Sequence, residues 1–181
     1  MATPTSAAAR RRETVRLDSA ERVPWVANGI AAGLVGAGCF ALFFLIVDVV
    51  LGRPLWTPHA LGTALFLGET APITAQPSPL MVLAYTAAHL TFYTSFALPA
   101  AFWVLARLPV TLGPGRGALV ALALFAALEA VYLLLGRLFA PDLLGMLTWG
   151  RVAAGNALAA CAMSAFLFWR REGGIARRGS R

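Results

Sequence analysis

The feature that most constrains this chain is a set of four long apolar runs. They cover about residues 25–51, 80–106, 117–138 and 152–169, and about 20 such residues suffice to cross a hydrocarbon core of about 30 Å. Each run is continuous and does not alternate between apolar and polar residues, which predicts helices rather than barrel strands. The sequence therefore predicts an all-α fold, a polytopic integral membrane protein built as a four-transmembrane-helix bundle.

Composition supports a membrane protein and predicts how the chain is divided. Hydrophobic residues make up 59% of the chain and charged residues only 13%, whereas soluble domains have about half and about a quarter. This excess requires an apolar solvent, so the lipid bilayer is a predicted partner. We expect a disordered basic tail at 1–23, the transmembrane domain at 24–171 and a second basic tail at 172–181.

The distribution of positive charge predicts the orientation. All fifteen basic residues are arginine, and ten of them lie near the two ends of the chain. Arginine accumulates on the cytoplasmic side of a membrane. Both termini and the loop with Arg107 and Arg116 are therefore predicted to be cytoplasmic, with the loop 52–79 outside, in the cytoplasmic (inner) membrane. No pattern of basic and aromatic residues indicates a nucleic-acid partner.

The outer loop contains the signature of a short helix. Thr57 followed by Pro58 is typical of a helix start, with Thr57 as the N-cap, and Gly68 can end the helix. We expect this helix, which includes His59, to lie in the outer interface. Trp56 is then predicted to lie at the level of the lipid head groups.

Small residues recur at helical spacing in the first and fourth spans. Gly29, Gly33 and Gly36 lie in the first span and Gly155 in the fourth, and such spacing lets helices approach closely. Two interpretations stay open. The favoured one is packing of these two spans within one chain, and the other is self-association between chains.

Ionisable residues inside the spans are costly to bury and usually face the bundle interior, a partner or water. Glu129 and Arg151 are equally far in sequence from Ala140, so a helical hairpin would place them at one depth, where an ion pair is predicted. His89 should lie at a similar depth, with tyrosines and an asparagine nearby. The predicted buried polar layer comprises His89, Tyr93, Glu129, Tyr132, Arg151 and Asn156.

Two interpretations of this layer stay open. The favoured one is a structural network that fixes helix register, with Arg151 extending toward the membrane surface. The other is a proton-transfer or ligand site that opens to the outer face. Asp48, near the end of the first span, is expected to be interfacial, and Pro99 is expected to kink the second span.

The sequence favours a non-enzymatic protein, since it has no catalytic or metal-binding motif of the common types. Our first hypothesis is an accessory or scaffold subunit of a larger membrane complex, or a small homo-oligomer. A second is a small transporter or proton-conducting protein that uses Glu129, Arg151 and His89. A third is a membrane enzyme that acts on a lipid or quinone with His89 as base. No cofactor is predicted, but a bound lipid or quinone is compatible with the sequence.

Overall fold

The computed structural model describes residues 24–108, 115–139 and 148–179, and these residues contain five α-helices. The helices are α1 (Trp25–Val50), α2 (Trp56–Leu67), α3 (Pro79–Ala101), α4 (Arg116–Phe139) and α5 (Trp149–Gly179), and a π-helical segment, Phe102–Arg107, continues α3. The predicted tail at 1–23 and residues 109–114, 140–147 and 180–181 lie outside the described residues.

Four of these helices are long and apolar enough to cross a membrane: α1, α3 with its π-helical continuation, α4 and α5. The predicted four-helix transmembrane bundle is therefore confirmed, and the chain is an integral membrane protein. The short helix predicted in the first loop is also present as α2. Its position in the membrane interface stays a prediction.

The last helix differs most from its predicted bounds. The apolar run predicts a helix over 152–169, whereas α5 begins at Trp149 and continues to Gly179, so it includes most of the predicted basic tail. Hydropathy marks only the apolar middle of a helix, and nothing in the following residues forces the helix to stop. Arg170 and Arg171, just beyond the apolar run, bond to other parts of the bundle.

Helix α1 lies at the centre of the bundle, because it packs against both α3 and α5. Helix α4 packs mainly on α5 and touches α3 little, while α2 lies against α3. The bundle is thus closed around α1 and less closely packed between α3 and α4.

Glycines make the close approach of α1 to its neighbours possible. A Cβ atom on Gly33 would lie 2.5 Å from the Cα of Thr94 in α3, and one on Gly36 would lie 2.6 Å from Cγ of Met163 in α5. These distances leave no room for a larger residue. The predicted packing glycines that face neighbouring helices in this way are Gly29, Gly33, Gly36 and Gly155. All four pack within one chain, but the favoured pairing of the first and fourth spans accounts only for Gly36 and Gly155, because Gly29 and Gly33 face α3. Self-association stays a prediction.

The end of α3 changes from α-helical to π-helical geometry shortly after Pro99. Proline has no backbone N–H and cannot donate to the preceding turn, and the π-helical segment begins at Phe102. Arg171 of α5 donates to the carbonyl oxygens of Val104 and Leu108, each at 2.9 Å. These carbonyls belong to the last turn, where helix carbonyls otherwise have no partner. The buried arginine therefore ties α5 to the end of the second span.

Candidate functional site

A cavity of about 480 Å³ lies between α3 and α4, next to α2. All five helices contribute to its walls, which are mainly apolar and rich in aromatic rings. Leu65 of α2 both lines the cavity and is about half exposed, so the cavity reaches the protein surface there. On α3 its wall includes Ala88 and His89, and on α4 it includes Tyr132.

A chain of hydrogen bonds joins three helices beside this cavity. The Tyr93 hydroxyl donates to Asn156 Oδ1 at 2.7 Å, and Asn156 Nδ2 donates to Glu129 Oε1 at 2.8 Å. The second carboxylate oxygen, Oε2, accepts from Trp149 Nε1 at 2.9 Å. Tyr93, Asn156 and Glu129 are all buried. Both oxygens of the buried carboxylate are thus hydrogen-bonded, which reduces the cost of burying its charge.

His89 is held by a second set of contacts on the same side of the cavity. Its Nε2 lies 3.2 Å from the Ala37 carbonyl oxygen, and its Nδ1 lies 3.4 Å from the Tyr85 hydroxyl. A carbonyl only accepts, so Nε2–H donates to Ala37, and in the neutral ring Nδ1 accepts from Tyr85. The imidazole also packs against the rings of Phe40 and Tyr93, with centroids 5.2 and 4.7 Å away. Its orientation is therefore fixed from several directions.

Tyr132 differs from the other polar groups around the cavity. Its ring lines the cavity, while its hydroxyl oxygen is buried and has no hydrogen-bond partner among the described residues. A buried hydroxyl without a partner costs about 1–3 kcal/mol, so native proteins rarely leave one unexplained. The oxygen is shielded from the cavity itself, so the ring and not the hydroxyl forms the cavity wall at this position.

The structure brings together most of the predicted polar layer but not the predicted ion pair. His89, Tyr93, Tyr132 and Asn156 line one cavity, and Glu129 lies behind it. The side chain of Arg151 is exposed, and no salt bridge joins it to Glu129 within the described part of the chain.

The position of Arg151 around the axis of α5 explains why it does not pair with Glu129. Val152 and Asn156 belong to the buried face of α5, and one residue along a helix turns the side chain by about 100°. Equal distance from the turn predicts equal depth but says nothing about the face. Sequence reasoning missed Trp149, which lies two helical turns before Asn156 on the same face. The helical spacing to Asn156 and the indole N–H, which can only donate a hydrogen bond, were the signals that could have placed Trp149 in the polar layer.

The start of α2 is held by Asp48 rather than by a helix cap. Asp48 is 1% exposed, and it accepts hydrogen bonds from the Thr57 backbone nitrogen at 2.7 Å and the Thr57 hydroxyl at 2.6 Å. The predicted N-cap role of Thr57 is wrong, because the helix begins at Trp56 and its N-cap residue is Leu55. Asp48 is enclosed by protein, and its expected position at the depth of the membrane interface stays a prediction. A contact between α1 and α2 has replaced the local cap.

The other residues predicted in this loop also pack inward. Trp56 is 1% exposed and donates from Nε1 to the Pro72 carbonyl oxygen at 3.2 Å, so its ring faces protein rather than lipid head groups. His59 is buried, and its Nδ1 accepts from the Ser78 backbone nitrogen at 3.3 Å. Pro58 is half-buried in the first turn. The four residues Trp56–His59 therefore anchor α2 and are not part of the cavity.

No protein-family model matches the chain, and no curated protein or solved structure is significantly similar to it. The fold and site define a class only: an integral membrane protein of four transmembrane helices with an intramembrane cavity. A function must therefore be argued from the cavity and its walls.

Proposed function

We propose that this protein binds a lipophilic small molecule, a lipid or a quinone, in the cavity between α3 and α4. The observation that carries the proposal is a cavity of about 480 Å³ with apolar walls and a few fixed polar side chains. Ligand pockets usually measure about 300–1,000 Å³ and combine mainly apolar walls with a small number of polar groups. This cavity has both properties.

The arrangement of the polar groups supports a ligand with a polar head and an apolar tail. His89 and Asn156 are held by neighbouring groups, so they present the same surface to the cavity whether or not a ligand is bound. Preformed groups of this kind lower the cost of ordering the site on binding. Helices α3 and α4 touch each other little, and the cavity lies between them. This supports entry of a membrane-dissolved molecule between these two helices as part of the proposal.

The cavity can be tested with a matched pair of substitutions on α3. Ala88 lines the cavity, whereas the adjacent Ala87 is exposed on the outer face of the helix. We expect native mass spectrometry after gentle detergent extraction to show a bound small molecule on the wild type and on Ala87→Trp. Ala88→Trp should lose it, because the indole fills the cavity. A bound molecule that persists on Ala88→Trp, or a wild type without one, would contradict the proposal.

We further propose the orientation predicted from arginine, with both termini cytoplasmic and α2 on the outer side of the cytoplasmic membrane. Arginines near both ends of the chain and in the loop between the second and third spans support it. A reporter that is active only in the cytoplasm should be active when fused after Arg181 and silent when fused near Ala75. The opposite pattern would contradict this orientation.

The other roles suggested by the sequence gain less support from the site. Proton conduction through Glu129, Arg151 and His89 requires a shared layer, but Arg151 is exposed and unpaired with Glu129. A role as an accessory subunit or homo-oligomer stays a prediction, since exposed apolar residues on a membrane protein suit lipid and protein partners equally. Ligand binding is the function with specific side-chain support.

A further inference from the structure

We propose that the cavity takes an uncharged molecule with a planar, carbonyl-bearing ring and an apolar tail, a quinone, in preference to an anionic phospholipid. This inference rests on the proposed ligand-binding function and names the ligand class. Two features of the cavity wall support it: the absence of an arginine from its described lining and its aromatic surface.

The charge of the site disfavours an anionic head group. No arginine lines the cavity within the described residues, and the carboxylate of Glu129 contacts the lining residue Asn156. A phosphate is normally bound by arginine or lysine, or by clustered backbone N–H groups. Moving an anion into an apolar site without such partners, and toward a carboxylate, is unfavourable. An uncharged head group avoids this cost.

The aromatic surface suits a planar ring. Six lining side chains carry aromatic rings: Phe40, Tyr85, His89, Phe92, Tyr93 and Tyr132. Three of these rings, from Tyr85, His89 and Tyr93, follow one face of α3 with neighbouring centroids 5.4 and 4.7 Å apart. Aromatic rings prefer offset-stacked or edge-on contact with one another. A conjugated ring can make such contacts here, whereas a flexible glycerol head group cannot.

The cavity also has a place where an apolar tail can leave it. The apolar tail would then leave past Leu65, where the cavity reaches the surface.

The selectivity can be measured with purified protein in nanodiscs of neutral lipid. We expect decylubiquinone to bind at least about tenfold more tightly than short-chain phosphatidylglycerol, which corresponds to about 1.4 kcal/mol. Ala88→Trp, which fills the cavity, should lose decylubiquinone binding, and Ala87→Trp should retain it. Unchanged binding of decylubiquinone by Ala88→Trp would show that the probe lies elsewhere and would overturn the proposal.

A second pair of variants tests the preference of the cavity for an uncharged ligand. Leu65 and Leu67 are both about half exposed on α2, but only Leu65 lines the cavity. Leu65→Arg should tighten phosphatidylglycerol binding and weaken decylubiquinone binding, while Leu67→Arg should match the wild type. If the wild type prefers phosphatidylglycerol, the quinone assignment is overturned and the ligand-binding proposal stands. If neither probe binds, and no other small molecule is carried by the purified protein, both proposals are overturned.

Discussion

The two halves of this bundle are built from the same long helices, but α3 packs differently against its neighbouring spans in each, although α2 also approaches α3 closely at Gly62. In the half near the start of α1, the helices α1 and α3 touch at backbone distance, with Gly33 against Thr94. In the half next to α2, aromatic side chains separate α3 from α4 and a cavity of about 480 Å³ remains. The comparison shows that packing density in this protein is set locally by side-chain size.

The change occurs along one face of α1. Gly29, Gly33 and Gly36 lie against neighbouring helices, and the next buried positions on that face are Phe40 and Phe44. Phe40 lies about two helical turns beyond Gly33, and its ring forms part of the cavity wall. Along this face glycines let neighbouring helices approach closely, and farther on Phe40 packs against Gly155 and forms part of the cavity wall.

The strongest test of the closed half is an enlargement at its tightest contact. Gly33→Leu should lower the free energy of unfolding by about 3 kcal/mol, because the side chain would overlap the backbone at Thr94 and force the helices apart. Gly38→Leu is the matched control, since a Cβ there meets nothing within 4 Å. Unfolding in dodecyl sulfate, followed by circular dichroism, measures both. Equal losses for the two variants would mean that the α1–α3 contact is not tight.

A test of intermediate size addresses the polar groups of the open half. Glu129→Gln should lower the free energy of unfolding by about 1–3 kcal/mol, because an amide cannot accept from both Trp149 and Asn156 on two oxygens. Arg151→Gln should change it by no more than about 0.5 kcal/mol, as expected for an exposed side chain. Similar losses of stability from both substitutions would indicate that Glu129 and Arg151 form the ion pair that the sequence predicts.

The sequence predicts the membrane-spanning fold well because hydropathy and helix length are properties of contiguous residues. The predicted first span, 25–51, differs from α1 (Trp25–Val50) only at its end. Prediction failed at the start of α2, because Asp48 of a different helix binds Thr57 and replaces the local cap. It also failed at the end of α5, because the helix continues beyond its apolar part. In the first case a side chain of the preceding helix decides the outcome, and in the second Arg170 and Arg171 bond to other parts of the bundle.

The candidate site was predicted only in part, because the sequence specifies the depth of a residue but not the helix face on which it lies. Depth in the membrane follows from counting residues, so His89, Glu129 and Asn156 were placed in one layer. Which face a residue occupies depends on the neighbours of the helix, and this separates Arg151 from Glu129. The orphan hydroxyl of Tyr132 and the cavity itself depend on how α4 packs, which no local pattern in the sequence specifies.

The most direct test of the difference between the halves places the same substitution in each half of α3. Ala97 is 0% exposed in the closed half, whereas Ala88 lines the cavity in the open half. Ala97→Leu should lower the free energy of unfolding by about 1–3 kcal/mol through overpacking. Ala88→Leu should change it by no more than about 0.5 kcal/mol, because the added carbons occupy the cavity. Equal destabilisation of the two variants, measured by unfolding in dodecyl sulfate, would contradict the existence of an open half.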